Sequence, residues 1–561
     1  MTDYQRIIEE VLNCIDVQEF TWSDRMARYF LESEGIDLRS DPGSGFLRLL
    51  NSQGYKQAYL NELSSKVGFQ VAVVSEARMR MALPEEHAHK LNLAGYERSL
   101  VPALEFAHVM PSFSLIKVPP ISFEEIRWVR FWANELPHPY HVMLYVPFED
   151  RWLDLMQIDR KEHKKIVNKF AQFLSTAQGE IINQREYLVD RFEELYKSGV
   201  LHRYLPEGGN ILHWPYMTVE KDHQRFNNHD DVVFFSANDF SLSKSKLYDV
   251  LKGQTDAIPA YRKVKGGSFR YLDRIAMDLL RAMKELEEKT GVPIWIKPRY
   301  SASGLGQINY TMPQYSRLFD LGANDELRME ILKTALYKEN TTDQIPDYVL
   351  EEDLNPHINS LDIPGEYEPS GWVVPGWGYV PNIFATFLTD GHGCYLADIL
   401  SHNPSEMGVD GEIILKNMKG VREIAHGLNS YYQAGIFEVD MIYTTNNRAV
   451  GHDPNLRRGG HSTAVELLGK TGFEKGAFNF EFVAHNPRRD KSDIDFYKNV
   501  CLSMSRAGIF PYSTAFGYVG QNGKMKFKGV VPWSVFEKIQ NKPGGLMEEA
   551  NKFFSELVQK I

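Results

Sequence analysis

Along residues 270–289, RYLDRIAMDLLRAMKELEEK, apolar side chains recur at three- and four-residue steps with charged ones between them. That spacing predicts an amphipathic helix closing at Gly291. Similar spacing predicts helices over 3–33, 160–200, 325–338, 410–432, 493–506 and 546–560, and a shorter one in SKSKLYDVLKG, which QTDAIPAY leads out of. Period-two runs and short apolar runs ending in turn residues predict strands instead. VGFQVAVVS (67–75), HVMLYVPF (141–148), DVVFFSAND (231–239) and DYVLEEDLN (347–355) are of this kind, as are segments around 510–531. VPIWIKPRYSASGLGQINY predicts a strand, a loop rich in Gly and Ser, and a second strand.

The segment FEVDMIYTTNNRAVGHDPNLRR is the most informative. Phe437, Val439, Met441 and Tyr443 alternate with Glu438, Asp440 and Thr444, and only Ile442 breaks the pattern. Asn446-Asn447 suits a turn into a second strand. Such a hairpin places Asp440 near Asp453, 453 − 440 = 13 positions on, and puts Asn455 on the same face. Two carboxylates and a carboxamide on one face repel unless a cation sits among them. Hard oxygen donors suit magnesium, which also takes phosphate oxygens. The alternative is a solvated hairpin with ordinary surface acids.

Other residues bear on the same chemistry. Lys297 ends a strand, where a fixed ammonium can neutralise phosphate. Ser301, Ser303, Gly304 and Gly306 follow in a loop whose backbone N–H groups can approach phosphate oxygens without Cβ clashes. No GxxxxGK[ST] run occurs, so this is not a Walker A loop. Lys244 and Lys246 lie upstream, Glu351 and Glu352 close an apolar strand, and Arg457 and Arg458 follow the Asp-Pro-Asn triplet. A guanidinium there matches a phosphoryl group or a carboxylate in bidentate fashion. Each has a bland alternative, a surface charge or a hairpin turn. His87, His89, His138 and His141 lack a further ligand at zinc-site spacing and read as surface or structural residues.

Bulk properties narrow the field. A chain of 561 residues predicts three or four domains or subdomains. A net charge of −11 argues against a duplex-binding surface, so no nucleic-acid partner is expected. No apolar run approaches the roughly 20 residues that span a bilayer, so no membrane partner is expected either. The three scattered cysteines, Cys14, Cys394 and Cys501, suit a reducing compartment, and the N-terminus lacks a signal-peptide pattern. The sequence predicts a cytoplasmic protein and sets no oligomeric state.

The order of these motifs, over roughly 236–470, resembles the ATP-grasp superfamily of carboxylate–amine ligases. Lys246 resembles the first nucleotide lysine, with Pro259 after it, and Lys297 with Ser301–Gly306 the second lysine and its phosphate-covering loop. Glu351, Glu352 and Leu354 in VLEEDL look like the hinge that holds adenine. Asp440, Asp453 and Asn455 match the metal ligands, although Asp453 stands where the family usually has Glu, one methylene longer. Arg457 is similar to the arginine that stabilises the transferred group. The resemblance implies a mixed α/β (α+β) fold: an N-terminal α/β domain (1–235), a first lobe (236–350), a second lobe with the metal site (351–470) and a C-terminal extension (471–561). It implies ATP and Mg2+ as cofactors, small carboxylate and amine substrates, and an acyl phosphate with release of ADP and phosphate. Phosphorylation of a hydroxyl on the same fold, and nucleotide binding without turnover, stay open. Within the superfamily, Asn455-Leu456-Arg457-Arg458-Gly459-Gly460 and the glycine-bearing 507–527 resemble pheganomycin-type peptide ligases.

Overall fold

The computed structural model describes residues 140–176 apart from 147, 244–299, 307–309, 312–319, 324–339, 344–358, 365–374, 378–389, 395–401, 409–428 and 435–455, with further strands and single positions elsewhere. The expected helices over 3–33 and 493–506 and the loop 301–306 lie outside the described residues, as do His87, His89, His138, Arg457 and Arg458. The described residues form a mixed helix-and-strand fold around separate sheets.

The first sheet comprises β1 (Phe69–Ser75), β2 (Phe113–Lys117), β3 (Tyr140–Val146), β4 (Arg151–Asp154), β5 (Asn210–Trp214) and β6 (Val232–Phe234), in the order β4-β3-β2-β1-β5-β6. Only β3 and β4 are antiparallel, joined by a turn in which Asp150 has φ 46°. The other pairs are parallel and need long crossovers. Helix α1 (Arg160–Thr176), the described part of the expected 160–200 helix, lies on the connection from β4 to β5. His141 has a structural place here: its Nδ1 is 2.8 Å from Asp154 Oδ2 across the hairpin.

Helix α2 (Lys244–Leu251) precedes a second region of β7 (Tyr261–Val264), β8 (Gly267–Ser268), α3 (Leu272–Thr290), β9 (Ile294–Pro298), α4 (Asp325–Glu339), β10 (Gln344–Ile345) and β11 (Tyr348–Glu352). β7, β11 and β9 form an antiparallel sheet in that order, and β8 pairs with β10. The apolar stripe of α3, at Ile275, Leu279, Met283 and Leu286, is buried with Ile294, Ile296 and Leu350 of the sheet and Leu332 and Leu336 of α4. Each such side chain contributes about 1.5–3 kcal/mol by leaving water. Gly291 caps α3 at φ 70°, in the left-handed region that favours glycine, and its N–H reaches the Glu287 carbonyl at 2.8 Å.

The third region holds β12 (Glu366–Val374), β13 (Gly378–Thr389), β14 (Tyr395–Ser401), α5 (Gly411–Gly427), β15 (Gly435–Tyr443), β16 (Ala449–Asn455), β17 (Ala477–His485), β18 (Phe510–Pro511) and β19 (Lys524–Pro532). The strands make one antiparallel sheet, β16-β15-β12-β13-β14-β17-β19-β18. Residues on both sides of position 470 therefore share a sheet. β12, β13 and β14 lie in 366–401, where the sequence predicts no element. Pro369, Pro381 and Gly371 argue against strands there, and tertiary pairing outweighs that local signal. α5 begins at Asp410, whose carboxylate accepts from the Glu412 N–H, and packs on β12, β13, β15 and β16. No described helix is long and apolar enough to cross a membrane.

The approach of α5 to the hairpin is close enough to test. A Cβ on Gly451 would lie 2.6 Å from Ile424 Cδ1 and 2.7 Å from Val439 Cγ1, both on stiff branched side chains. A Cβ on Gly420 would crowd the flexible end of Met441 at 2.7 Å, with Ala257 Cβ at 3.4 Å and the Ala449 carbonyl oxygen at 3.5 Å in ordinary contact. We expect Gly451→Ala to cost about 1–3 kcal/mol through overpacking. Gly420→Ala should be near neutral, because a gain in helix propensity of about 1 kcal/mol offsets the contact. Urea unfolding of the two variants measures the difference, and equal losses would refute this account of the packing.

Candidate active site

Antiparallel pairing of β9 with β11 sets Lys297 opposite Val349 and Trp295 opposite Glu351. Lys297 and Glu351 are therefore diagonal neighbours on the face turned away from α3. Their charges meet, with Nζ 2.6 Å from Oε2, at 6% and 2% exposure. The isolated antiparallel bridge Ile296↔Ile308 sets Gln307 beside Lys297.

α2 supplies the third side chain. Tyr248 is fully buried, and its ring packs 5.1 Å from that of Tyr261. Its hydroxyl is 2.5 Å from the His452 carbonyl oxygen and 3.1 Å from Glu351 Oε1, with one proton to offer both acceptors. Burial first, then the negative charges of Glu351, Asp453 and Asp440, hold this phenol well above the usual tyrosine range. It stays a neutral donor at ordinary pH. Asp440 and Asp453 therefore lie, like Glu351, in the electrostatic neighbourhood of the Tyr248 hydroxyl.

The β15–β16 hairpin turns at Asn447, φ 59°, and pairs Asp440 with Asp453 and Glu438 with Asn455. Its register slips once. Met441 faces Gly451 while Asp440 faces Asp453, which leaves His452 as the extra residue of a β-bulge. Without the bulge, strict alternation from the turn would put Asp453 on the side of Gly451 and Met441, against α5. The bulge turns Asp453 to the side of Asp440 instead. β16 is also the outermost strand of its described sheet. The segment after α2 covers that edge: Gly451 N–H donates to the Ala257 carbonyl at 2.8 Å, and Tyr248 takes the His452 carbonyl.

The remaining expected residues fall as follows. Lys246, half-buried, lies two positions before Tyr248 on α2. The Glu352 carboxylate accepts from the Ala260 N–H at 2.9 Å and faces Arg448 at 3.4 Å, so it braces the segment instead of pointing at a ligand. Leu354 is buried at 8% exposure. Asn455 is placed through its strand backbone, opposite Glu438. Ser301, Ser303, Gly304, Gly306 and Arg457 lie outside the described residues.

Sequence reasoning missed Tyr248, and it gave no role to Glu438 or Glu368, which are 1% and 2% exposed. The alternation of Glu438 with Asp440 was the available signal; Tyr248 had none. Among the described residues no three His, Cys, Asp or Glu side chains converge as a metal cluster. The expected magnesium set is smaller: two facing carboxylates, and the carboxamide of Asn455 by register position. All are oxygen donors on one strand pair, which fits the ion's preference.

The buried pair gives a direct prediction. Lys297→Met or Glu351→Leu alone leaves one charge uncompensated and should cost about 3–5 kcal/mol, whereas the double substitution should cost clearly less. Denaturant unfolding of the cycle checks this, and additive losses would show that the two charges do not interact.

No family model matches this sequence, and no curated protein matches it. Among solved structures, the chain is similar to N5-carboxyaminoimidazole synthetase from Staphylococcus aureus complexed with ADP, at 10% identity, over 87% of this chain and 97% of that one, with a TM-score of 0.45. It is similar to the biotin carboxylase domain of Hydrogenobacter thermophilus 2-oxoglutarate carboxylase at 12% identity, 83% and 87% coverage and a TM-score of 0.38. Similarity to the D-alanine-D-alanine ligase from Coxiella burnetii is at 12% identity, 69% and 85% coverage and a TM-score of 0.33. Scores at this level are too low to carry a function from those proteins to this one.

Proposed function

We propose that this protein is an ATP-grasp ligase that joins a small carboxylate to an amine at the expense of ATP. The observation that carries the reading is the facing pair Asp440–Asp453, aimed to one side by the His452 bulge, which Tyr248 joins to the buried Lys297–Glu351 pair. Two carboxylates brought to one side of a hairpin offer the hard oxygen donors that a magnesium ion takes. In this reading Asp440, Asp453 and Asn455 hold magnesium, which when bound neutralises phosphate oxygens.

Each residue then has a task. An ammonium carries three N–H donors; Glu351 orients that of Lys297, leaving others for phosphate oxygens, and Lys246 adds a second positive charge. Ser301, Ser303, Gly304 and Gly306 cover the phosphates. Leu354 and the chain at 351–354 line the adenine side. A carboxylate oxygen of the substrate attacks the γ-phosphorus, the bond to the ADP oxygen breaks, and an acyl phosphate forms beside Arg457. The amine nitrogen then attacks the acyl carbon, phosphate leaves, and the amine gives up its proton. The work is positioning and charge neutralisation. Residues 236–350 and 351–470 act as the two lobes, flanked by 1–235 and 471–561. The run from Asn455 to Gly460 supports amino-acid or peptide substrates.

Hydroxylamine, as a small strong nucleophile, tests the reaction. With a panel of amino acids as acids, ATP and magnesium, we expect ADP, phosphate and a hydroxamate. AMP with pyrophosphate would exclude this mechanism, and ADP with a stable phosphorylated alcohol would make the protein a kinase. Asp453→Asn should lower turnover by roughly 10²–10³, the scale for losing one transition-state electrostatic partner, with folding retained. Near-normal turnover of that variant in magnesium would remove Asp453 from the ligand set.

A further inference from the structure

We propose that Tyr248 is a positioning residue that sets the aim of Asp453, and so the metal affinity of the hairpin, by fixing the β-bulge at His452. This rests on the metal reading of Asp440, Asp453 and Asn455 given above. A bulge adds one residue whose backbone leaves the regular ladder and which twists the strand locally. Such a residue holds one orientation only if its polar groups are held. Here the ladder resumes at Asp453, and the carbonyl of His452 is taken at 2.5 Å by a hydroxyl from another element. Gly451, on the other side of the bulge, is held by Ala257. The extra residue is thus clamped between two contacts from the chain at 248–257.

The tyrosine is itself fixed. Its ring is buried against Tyr261, and its hydroxyl also faces Glu351 Oε1, whose other oxygen holds Lys297. A chain of contacts therefore runs Lys297–Glu351–Tyr248–His452, ending one peptide bond from Asp453. Tyr248 touches no reacting atom in this scheme. Removing its oxygen takes that donor from the bulge carbonyl and loosens the peptide that sets the direction of Asp453 toward Asp440. Partners that orient a metal ligand from behind typically matter by about 10–100-fold in metal affinity.

The experiment measures metal retention directly. Mn2+ serves as the probe for the magnesium site, and its binding in the presence of ADP is followed by electron paramagnetic resonance of free Mn2+ at 10 °C. Tyr248→Phe keeps the ring and loses only the hydroxyl. Tyr261→Phe is the control, since it removes the hydroxyl of the neighbouring ring, which bonds Asp249 at 2.8 Å instead. Tyr248→Phe should weaken Mn2+ binding by about 10–100-fold. Tyr261→Phe keeps the ring that packs on Tyr248 and loses only the bond to Asp249, so its Mn2+ affinity should stay close to that of the parent chain. Equal Mn2+ affinity in Tyr248→Phe and the parent overturns the proposal. So does equal weakening in both variants, which would mark a packing effect, and so does failure of Tyr248→Phe to fold, which would make the hydroxyl a determinant of the fold as a whole. A parent chain that binds no Mn2+ with ADP would instead sink the metal reading itself.

Discussion

A buried lysine–glutamate pair is the constraint on which the rest of the site depends. Lys297 and Glu351 lie almost wholly out of water, where an isolated charge would be several kcal/mol unfavourable, so each requires the other. That requirement fixes two strands in register, and it leaves one carboxylate oxygen to face Tyr248. Through Tyr248 that oxygen is tied to the backbone of the outermost strand of the eight-stranded sheet. Polar contacts of this kind are directional. They define an angle between elements where apolar packing would tolerate a range.

The two sides of the β15–β16 hairpin divide the work. Val439, Met441 and Gly451 lie against α5, close enough that glycine is needed at one position. Asp440 and Asp453 lie on the other side. Beyond the turn, the chain at 355–357 is stitched to the hairpin by backbone bonds, Thr445 N–H to the Asn355 carbonyl at 3.1 Å and His357 N–H to the Tyr443 carbonyl at 2.8 Å. Just upstream, the chain is tied to the ends of the three-stranded sheet, with Glu352 N–H on the Ala260 carbonyl and Asp353 N–H on that of Pro293. The connection between the two sheets is braced from both sides.

How much of this was legible in the sequence depends on the range of the interaction. Helix α3 and its glycine stop follow from local periodicity and from the φ that Gly291 must adopt, and both stand in the chain itself. The face shared by Asp440 and Asp453 was expected from spacing, and the register pairs them. The means were hidden: the bulge at His452 has no local signature. β12 and β13 were missed because Pro369, Pro381 and the buried Glu368 carry the opposite local message, and neighbouring strands outweigh it. Tyr248 was illegible for a simpler reason. Its two partners lie 103 and 204 positions away, and no periodicity reports contacts at that distance.

The bulge also changes how this chain should be compared with others. In a regular hairpin with the same turn, the position opposite Asp440 would be 452, a separation of 452 − 440 = 12. The observed separation is 453 − 440 = 13. A homologue that had lost one residue between Val450 and Asp453 could keep the same geometry only by carrying its second acid one place earlier. An alignment without a gap would set that acid against His452, whereas the gap belongs at the bulge and the two acids in one column. Counting residues back from the turn, and asking whether an extra one is present, is the sounder criterion for recognising this hairpin in a diverged sequence.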